Sequence, residues 1–355
     1  MLIYILFFVF INLLLFFGEN KTIKGLNFYG LAYFFIFLFS ALRFDVGYDY
    51  TMYYHLIRGD IKFLEDQLNR LQFLSRELII FSHNIGFTQL FFIVTSFLIM
   101  YLTYKTVKNY SIDFIISTLV FLSFPIFFLN SLSIVRQYVA VSIVFYSFRF
   151  IKTRKLFYFL VFIFIAFLFH KSAIIAIILY WLYNLKLKNI HFIIIYFVGL
   201  FSSQLAYFTV KYLMPQYLQY LDKRIGVGGD KLLILFQVIG FFILFITNKK
   251  KENLNYNFYV ISFFMGLFIW SSLAPYGHAG FRGALYFTAF FILFLPEVYD
   301  IIKERRVLKQ ITYLLFFCFF TFTLWLGTKN PHKDPNIPYR IYFLTDKTYF
   351  KSVTP

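Results

Sequence analysis

The sequence predicts an all-α fold: a polytopic helical integral membrane protein with about twelve transmembrane helices. Three observations lead there. The 355-residue chain is 61% hydrophobic and 25% aromatic but only 14% charged, with a mean hydropathy of +0.73. Apolar runs long enough to span a bilayer follow one another from Met1 to about Leu326. Lysines and arginines punctuate the loops between those runs. A soluble protein carries about a quarter charged residues, so this chain has too little polar surface to cover its apolar mass. In lipid, helices satisfy every backbone polar group within the segment.

Taken in order, the predicted spans are residues 1–17, 28–42, 87–104, 114–130, 133–150, 156–170, 172–184, 190–208, 232–247, 257–273, 284–297 and 311–326. The first opens without basic residues or a small-residue cleavage site, which reads as a span and not as a removable signal peptide. Alternate loops hold the positive charge: Lys21 and Lys24, Lys105 and Lys108, Arg149 to Lys155, Lys186 and Lys188, Lys249 to Lys251, and Lys303 to Lys309. The opposite short connections hold only Arg136, Lys171 and Arg282. The positive-inside rule puts the first set in the cytoplasm and both termini outside.

Residues 1–326 then form one transmembrane domain, with two long external segments at 43–86 and 209–230. In the first, acids and bases alternate with apolar residues from Tyr53 to His83. That pattern suits one or two amphipathic helices on the outer surface or over a cavity. The second carries Tyr212, Tyr217 and Tyr220 before Lys223, Arg224 and a glycine-rich stretch ending at Gly229; the tyrosines suit an interfacial belt. Residues 327–355 form a polar tail with Pro331, Pro335 and Pro338. It is expected outside, as an extended packed arm or as disorder.

The formal net charge of +18 does not indicate nucleic acid, because the cations anchor loops and do not gather on one soluble face. Cys318 is the only cysteine, so no intrachain disulfide forms. Histidines isolated from cysteine partners make a poor metal site, and no metal is expected. No Walker loop, dinucleotide fingerprint, HExxH or Gly-x-Ser-x-Gly occurs.

The chemistry gathers at span ends. Arg43, Asp45, Asp49, Arg136, His170, Lys171, His278 and Arg282 all fall on the external side of the serpentine. Charges at membrane depth usually face a cavity or a partner, so they suggest a site for an anionic, lipid-borne substrate. Arg43 to Tyr50 packs one arginine and two acids around Gly47, which allows a tight turn. Asp45 and Asp49 there can ligate a cation, pair with Arg43 or act as a base; a salt-bridged loop is the bland alternative. Arg136 shares a helix face with Ser133, Ala140 and Ser147, with Gln137 on the next face. Its planar fork of donors suits phosphate oxygens, against the plainer reading of a snorkelling anchor. His170 is a candidate base, since imidazole exchanges a proton near neutral pH; it can equally bind a diphosphate with Lys171, or cap a helix pair. Arg282 is a second phosphate candidate, sharing a face with Tyr286, and His278 precedes it in the same loop.

At these residues the chain resembles the EpsG family of polysaccharide-biosynthesis membrane proteins, within the wider Wzy-type O-antigen polymerase group. The matching pieces are Arg43-Phe-Asp-Val-Gly-Tyr-Asp-Tyr50 with Tyr53, Ser133-Ile-Val-Arg-Gln-Tyr-Val-Ala140, His170-Lys-Ser-Ala-Ile-Ile175 and Arg282-Gly-Ala-Leu-Tyr286, in that order. Tyr48, where a small polar residue is expected, and the long tail depart from the pattern. The resemblance implies a GT-C-like, polymerase-ligase architecture with periplasmic loop helices. It implies a glycosyltransferase on the outer face of the bacterial inner membrane, joining oligosaccharide repeat units carried on undecaprenyl diphosphate.

For such a reaction Arg136, Arg282, Arg43 and Lys171 would hold the diphosphate. His170, Asp49 or Asp45 would be the base, and Gln137, Tyr50, His278 and Tyr286 would line the pocket. No cofactor is needed; Asp45 and Asp49 can hold Mg²⁺, but arginine and lysine can replace it. The expected partners are the lipid-linked oligosaccharide, membrane lipids, a flippase and a chain-length regulator, with no nucleic acid. Two alternatives share the charge pattern in part. A lipid-linked-oligosaccharide flippase would carry charge through both leaflets, and an O-antigen ligase would use the same donor with another acceptor.

Overall fold

The computed structural model describes residues 1–19, 26–60, 64–215, 218, 230–246, 253–276, 278–302, 306–329 and 334–346. The expectations for Lys21 and Lys24, for Lys223 to Gly229, for Lys249 to Lys251 and for residues 347–355 lie outside them. Among the described residues the chain is helical, and its one β-bridge pairs Arg43 with Ile341. Four helices are individually long and apolar enough to cross a membrane, and a pair bent by 61° makes a fifth. Six shorter apolar helices accompany them. The protein is a polytopic helical membrane protein.

The chain divides into two compact units: residues 1–146, 164–171 and 305–355, and residues 147–163 with 172–304. The first unit begins with α1 (Leu2–Glu19) and α2 (Phe28–Ala41). Three short helices follow, α3 (Tyr50–Arg58), α4 (Leu64–Asn69) and α5 (Phe73–Ile85), and then α6 (Gln89–Tyr110). Next come α7 (Phe114–Ser123), α8 (Phe128–Ser133) and α9 (Val135–Tyr146). Asn27 and Asp113 cap α2 and α7 through their side-chain oxygens, Asp113 accepting from the N–H of Ile115 and Ile116 at 3.0 Å, which satisfies donors that a helix start leaves without partners.

The predicted span 114–130 is broken. Pro125 excludes helical backbone from the residue before it, and Phe124 is accordingly extended. A second break at Ile134 separates α8 from α9, so Ser133 does not share a helix with Arg136. Helices α3 and α5 pack together beside α6. Their apolar faces, with Tyr50, Tyr53, Tyr54, Ile57 and Ile79, close a core on Phe91 and Phe92 of α6. One arginine, four tyrosines and several phenylalanines of this unit are fully buried.

The second unit holds α10 (Phe148–Lys152) and the start of α11 (Leu156–Phe169). A 3₁₀ segment (Lys171–Ile178) leads into α12 (Leu179–Leu182). Side chains three apart eclipse in a 3₁₀ helix, and Ala173, Ala176 and Leu179 form one fully buried row. Next are α13 (Asn189–Phe201), α14 (Ser203–Leu213), α15 (Asp230–Ile246), α16 (Leu254–Leu273), α17 (His278–Thr288) and α18 (Phe291–Ile302). The predicted span 190–208 breaks at Ser202, whose hydroxyl bonds to the Gly199 carbonyl (3.1 Å) and to Ser272 Oγ (2.6 Å). Helix α16 is the axle, with α13, α15, α17 and α18 packed around it. Gly280 lets α17 close on α16, since a Cβ there would lie 2.9 Å from the Trp270 carbonyl oxygen.

The chain returns to the first unit through α19 (Arg306–Thr328), which packs on α7. Residues 334–342 then form an arm across the ends of α1, α2 and α6. Tyr339 stacks on Phe39 at 4.0 Å and donates to the Phe39 carbonyl at 2.6 Å. Tyr4 of α1 donates to the Asn336 carbonyl at 2.9 Å, and Tyr342 reaches Thr88 beside α6 at 3.0 Å. Ile337, Tyr339 and Tyr342 are buried.

Candidate functional site

The loop from Arg43 to Asp49 is built from its backbone outward. Asp45 (φ 51°) and Gly47 (φ 99°) both take left-handed conformations. Gly47 lies so near the α8–α9 break that a Cβ would collide with the Leu132 carbonyl. The N–H of Asp49 donates to the Ser133 carbonyl at 3.2 Å. Arg43 is buried behind this turn. Its Nε donates to the Val46 carbonyl (3.2 Å) and its Nη2 to the Leu132 carbonyl (3.4 Å). Its Nη1 reaches the Ser40 carbonyl and Ser96 Oγ, and its guanidinium lies over the Phe92 ring at 5.1 Å. Burial pulls its pKa down to about 10, which leaves it charged at neutral pH.

Three expected site residues therefore take a structural part. Arg43 ties the loop to the α8–α9 break. Asp45, also buried, accepts from Thr51 Oγ1 at 3.0 Å and from Arg340 Nη1 at 3.4 Å. Tyr50 is a fully buried strut whose hydroxyl donates to Gln89 Oε1 at 2.8 Å, while Gln89 Nε2 donates to the carbonyls of Ala41 and Arg43. Asp49 differs: it is only partly buried and stands at the N-terminus of α3, where the helix dipole favours a carboxylate.

Arg136 stands at the start of α9. Its Nε donates to Tyr53 Oη of α3 at 2.5 Å and its Nη1 to Gln72 Oε1 at 2.9 Å. These bonds orient the guanidinium. Gln72 precedes α5, and one turn on, Ser75 Oγ donates to the carbonyl of Phe169 at 3.1 Å. The first turn of α5 thus holds Arg136 on one side and the end of α11 on the other. His170 follows at once, half-buried, with its N–H on the Ala166 carbonyl at 2.9 Å. Lys171 is exposed beside it and Gln137 is buried. Arg136, Asp49, His170 and Lys171 are therefore gathered at one end of the first unit.

The second unit carries the remaining candidates on one helix. His278 is exposed, Arg282 is half-buried one turn later, and Tyr286 is fully buried a further turn on. Tyr286 Oη shares a 2.8 Å hydrogen bond with Ser172 Oγ. This bond anchors α17 to the start of the 3₁₀ segment and sets the inner end of the face that carries Arg282.

Sequence reasoning missed the supports: Gln72, Ser75, Gln89 and Arg340. Gln72 and Ser75 fall inside an alternating charged stretch that masks a helix start. Buried tyrosines at 339 and 342, three apart in a polar tail, were the available sign that the tail packs. Among the described residues no group of three His, Cys, Asp or Glu side chains gathers to hold a metal.

The helical spans define a polytopic membrane protein. The chain belongs to the EpsG family, whose model matches residues 26–341, and is thereby a polysaccharide-polymerase type of membrane protein. No curated protein and no solved structure matches it significantly.

Proposed function

We propose that the chain is a glycosyltransferase polymerising O-antigen or a related surface polysaccharide at the periplasmic face of the bacterial inner membrane. Its donor is a growing glycan on undecaprenyl diphosphate, and its acceptor is the non-reducing end of the incoming lipid-linked unit. The observation that carries this reading is Arg136, held between Tyr53 and Gln72 and beside the His170 segment. A preorganised cation stabilises charge as it develops on a leaving diphosphate, and a base one helix end away can take the acceptor proton.

In this mechanism His170 takes the hydroxyl proton, with Asp49 the second candidate. The acceptor oxygen bonds to the donor anomeric carbon as the bond from that carbon to the diphosphate oxygen breaks. Arg136 and Lys171 receive the leaving group. Holding donor and acceptor together supplies much of the rate. A single displacement inverts the anomeric centre; a polymer linkage of retained configuration would sink that step. No cofactor is required. A flippase supplies the substrate and a chain-length regulator tunes the product.

The test is polymer laddering in a strain lacking the gene, complemented at equal membrane abundance. Wild type restores the ladder. Arg136→Ala leaves single repeat units, with turnover down about a hundredfold or more, and Arg136→Lys does not restore it, because a point charge lacks the fork. A full ladder with Arg136→Ala removes the arginine from the site. Repeat units stranded on the cytoplasmic side in the deletion strain would show a flippase instead.

A further inference from the structure

The arm at 334–342 does more than cover helix ends, because it closes on the one loop that braces the α8–α9 break. Phe44 N–H donates to the Arg340 carbonyl and Tyr342 N–H to the Leu42 carbonyl, both at 2.8 Å. These are the rungs of the Arg43–Ile341 bridge. Gly47 N–H donates to the Pro335 carbonyl at 2.8 Å. Between these rungs Arg340 Nη1 reaches the buried Asp45 carboxylate at 3.4 Å. The loop therefore has two attachments. Its inner side is fastened to Leu132 and Ser133 through Arg43 and Asp49, with Gly47 packed close against the Leu132 carbonyl. Its outer side is fastened to the arm.

We propose that Arg340 is a positioning residue for the transfer site, acting through Asp45. Its guanidinium holds the loop in the left-handed turn at Asp45 to Gly47, and the loop in turn holds the α8–α9 break from which Arg136 projects. Asp45 takes a left-handed backbone conformation that disfavours any residue with a side chain, so the loop needs an external restraint. The ion pair suits that part, because Asp45 is nearly inaccessible and a buried charge requires a partner. The arm is then a working wall of the site and not an appendage. This rests on the polymerase reading for its catalytic consequence and on the geometry alone for the clamp.

The experiment uses the full chain in membranes, in a Cys318→Ser background with Val46→Cys as reporter. Val46 is fully buried in the loop, and cysteine replaces it with little change in volume. Two quantities are read in wild type, Arg340→Ala and Arg340→Lys at equal abundance: the rate of labelling at position 46 by an impermeant maleimide, and the polymer ladder. The expected result is labelling about tenfold faster in Arg340→Ala, the worth of one charged hydrogen bond, with a shortened ladder. Arg340→Lys, which keeps the charge, recovers both. Unchanged labelling in Arg340→Ala overturns the clamp. Faster labelling with an intact ladder overturns the positioning part. If Arg340→Ala does not accumulate, Asp45→Asn, which weakens the pair from the other side, is read the same way. If the gene does not support a ladder at all, the polymerase reading fails while the labelling still decides the clamp.

Discussion

Gly47 shows how much one missing side chain can carry. Its φ of 99° disfavours any side chain, and the Leu132 carbonyl occupies the space a Cβ would need. Gly47→Ala should cost about 1–3 kcal/mol in backbone strain alone, with the collision added, and should lower both membrane abundance and the thermal unfolding midpoint in detergent. A midpoint equal to wild type would mean that the loop does not brace the α8–α9 break. Arg43 and Arg136 make the complementary point. Both are arginines at the external ends of predicted spans and looked equivalent in sequence. Backbone carbonyls and Ser96 surround the first, whereas the second is steadied by a phenol and an amide. Burial, not position along the chain, separates a brace from a candidate ligand.

Helix α5 gathers the site by its first turn. Gln72→Leu removes an acceptor from Arg136, and Ser75→Ala removes a buried bond to the end of α11 worth about 1 kcal/mol. Each should shorten the ladder without abolishing it, and the two together should approach the defect of Arg136→Ala. A double variant with a full ladder would detach α5 from function. At this scale the sequence was partly legible. The apolar runs showed where helices lie, and the alternation from Tyr53 to His83 showed helices there, although three short ones form. Pro125 announced its break through its own chemistry. The breaks at Ile134 and Ser202 did not, because they depend on distant partners: the loop at 47–49 for one and Ser272 for the other. The Asp45–Arg340 pair, 295 positions apart, was illegible for the same reason. Local pattern reports periodicity and turn chemistry, and long-range closure leaves little trace in either.

For the molecule as a whole, charge predicts orientation. In a Cys318→Ser background, Tyr48→Cys should react with an impermeant maleimide in intact spheroplasts, and Lys152→Cys only after lysis; both native side chains are exposed. The reverse pattern would invert the whole serpentine. The partition into units bears on synthesis as well. The first unit is assembled from three separate stretches of chain, and residues 147–163 and 172–304 of the second are made between them. Tyr4 bonds to the carbonyl of Asn336, 332 positions further along the chain. Contacts of such sequence separation form late. The loop at Asp45 is clasped only once Arg340 has been made, and a product cut short ahead of Arg340 lacks that clasp. Synthesis thus carries its own checkpoint: the outer side of the loop at Asp45 is joined to the arm only after residues beyond 340 have left the ribosome.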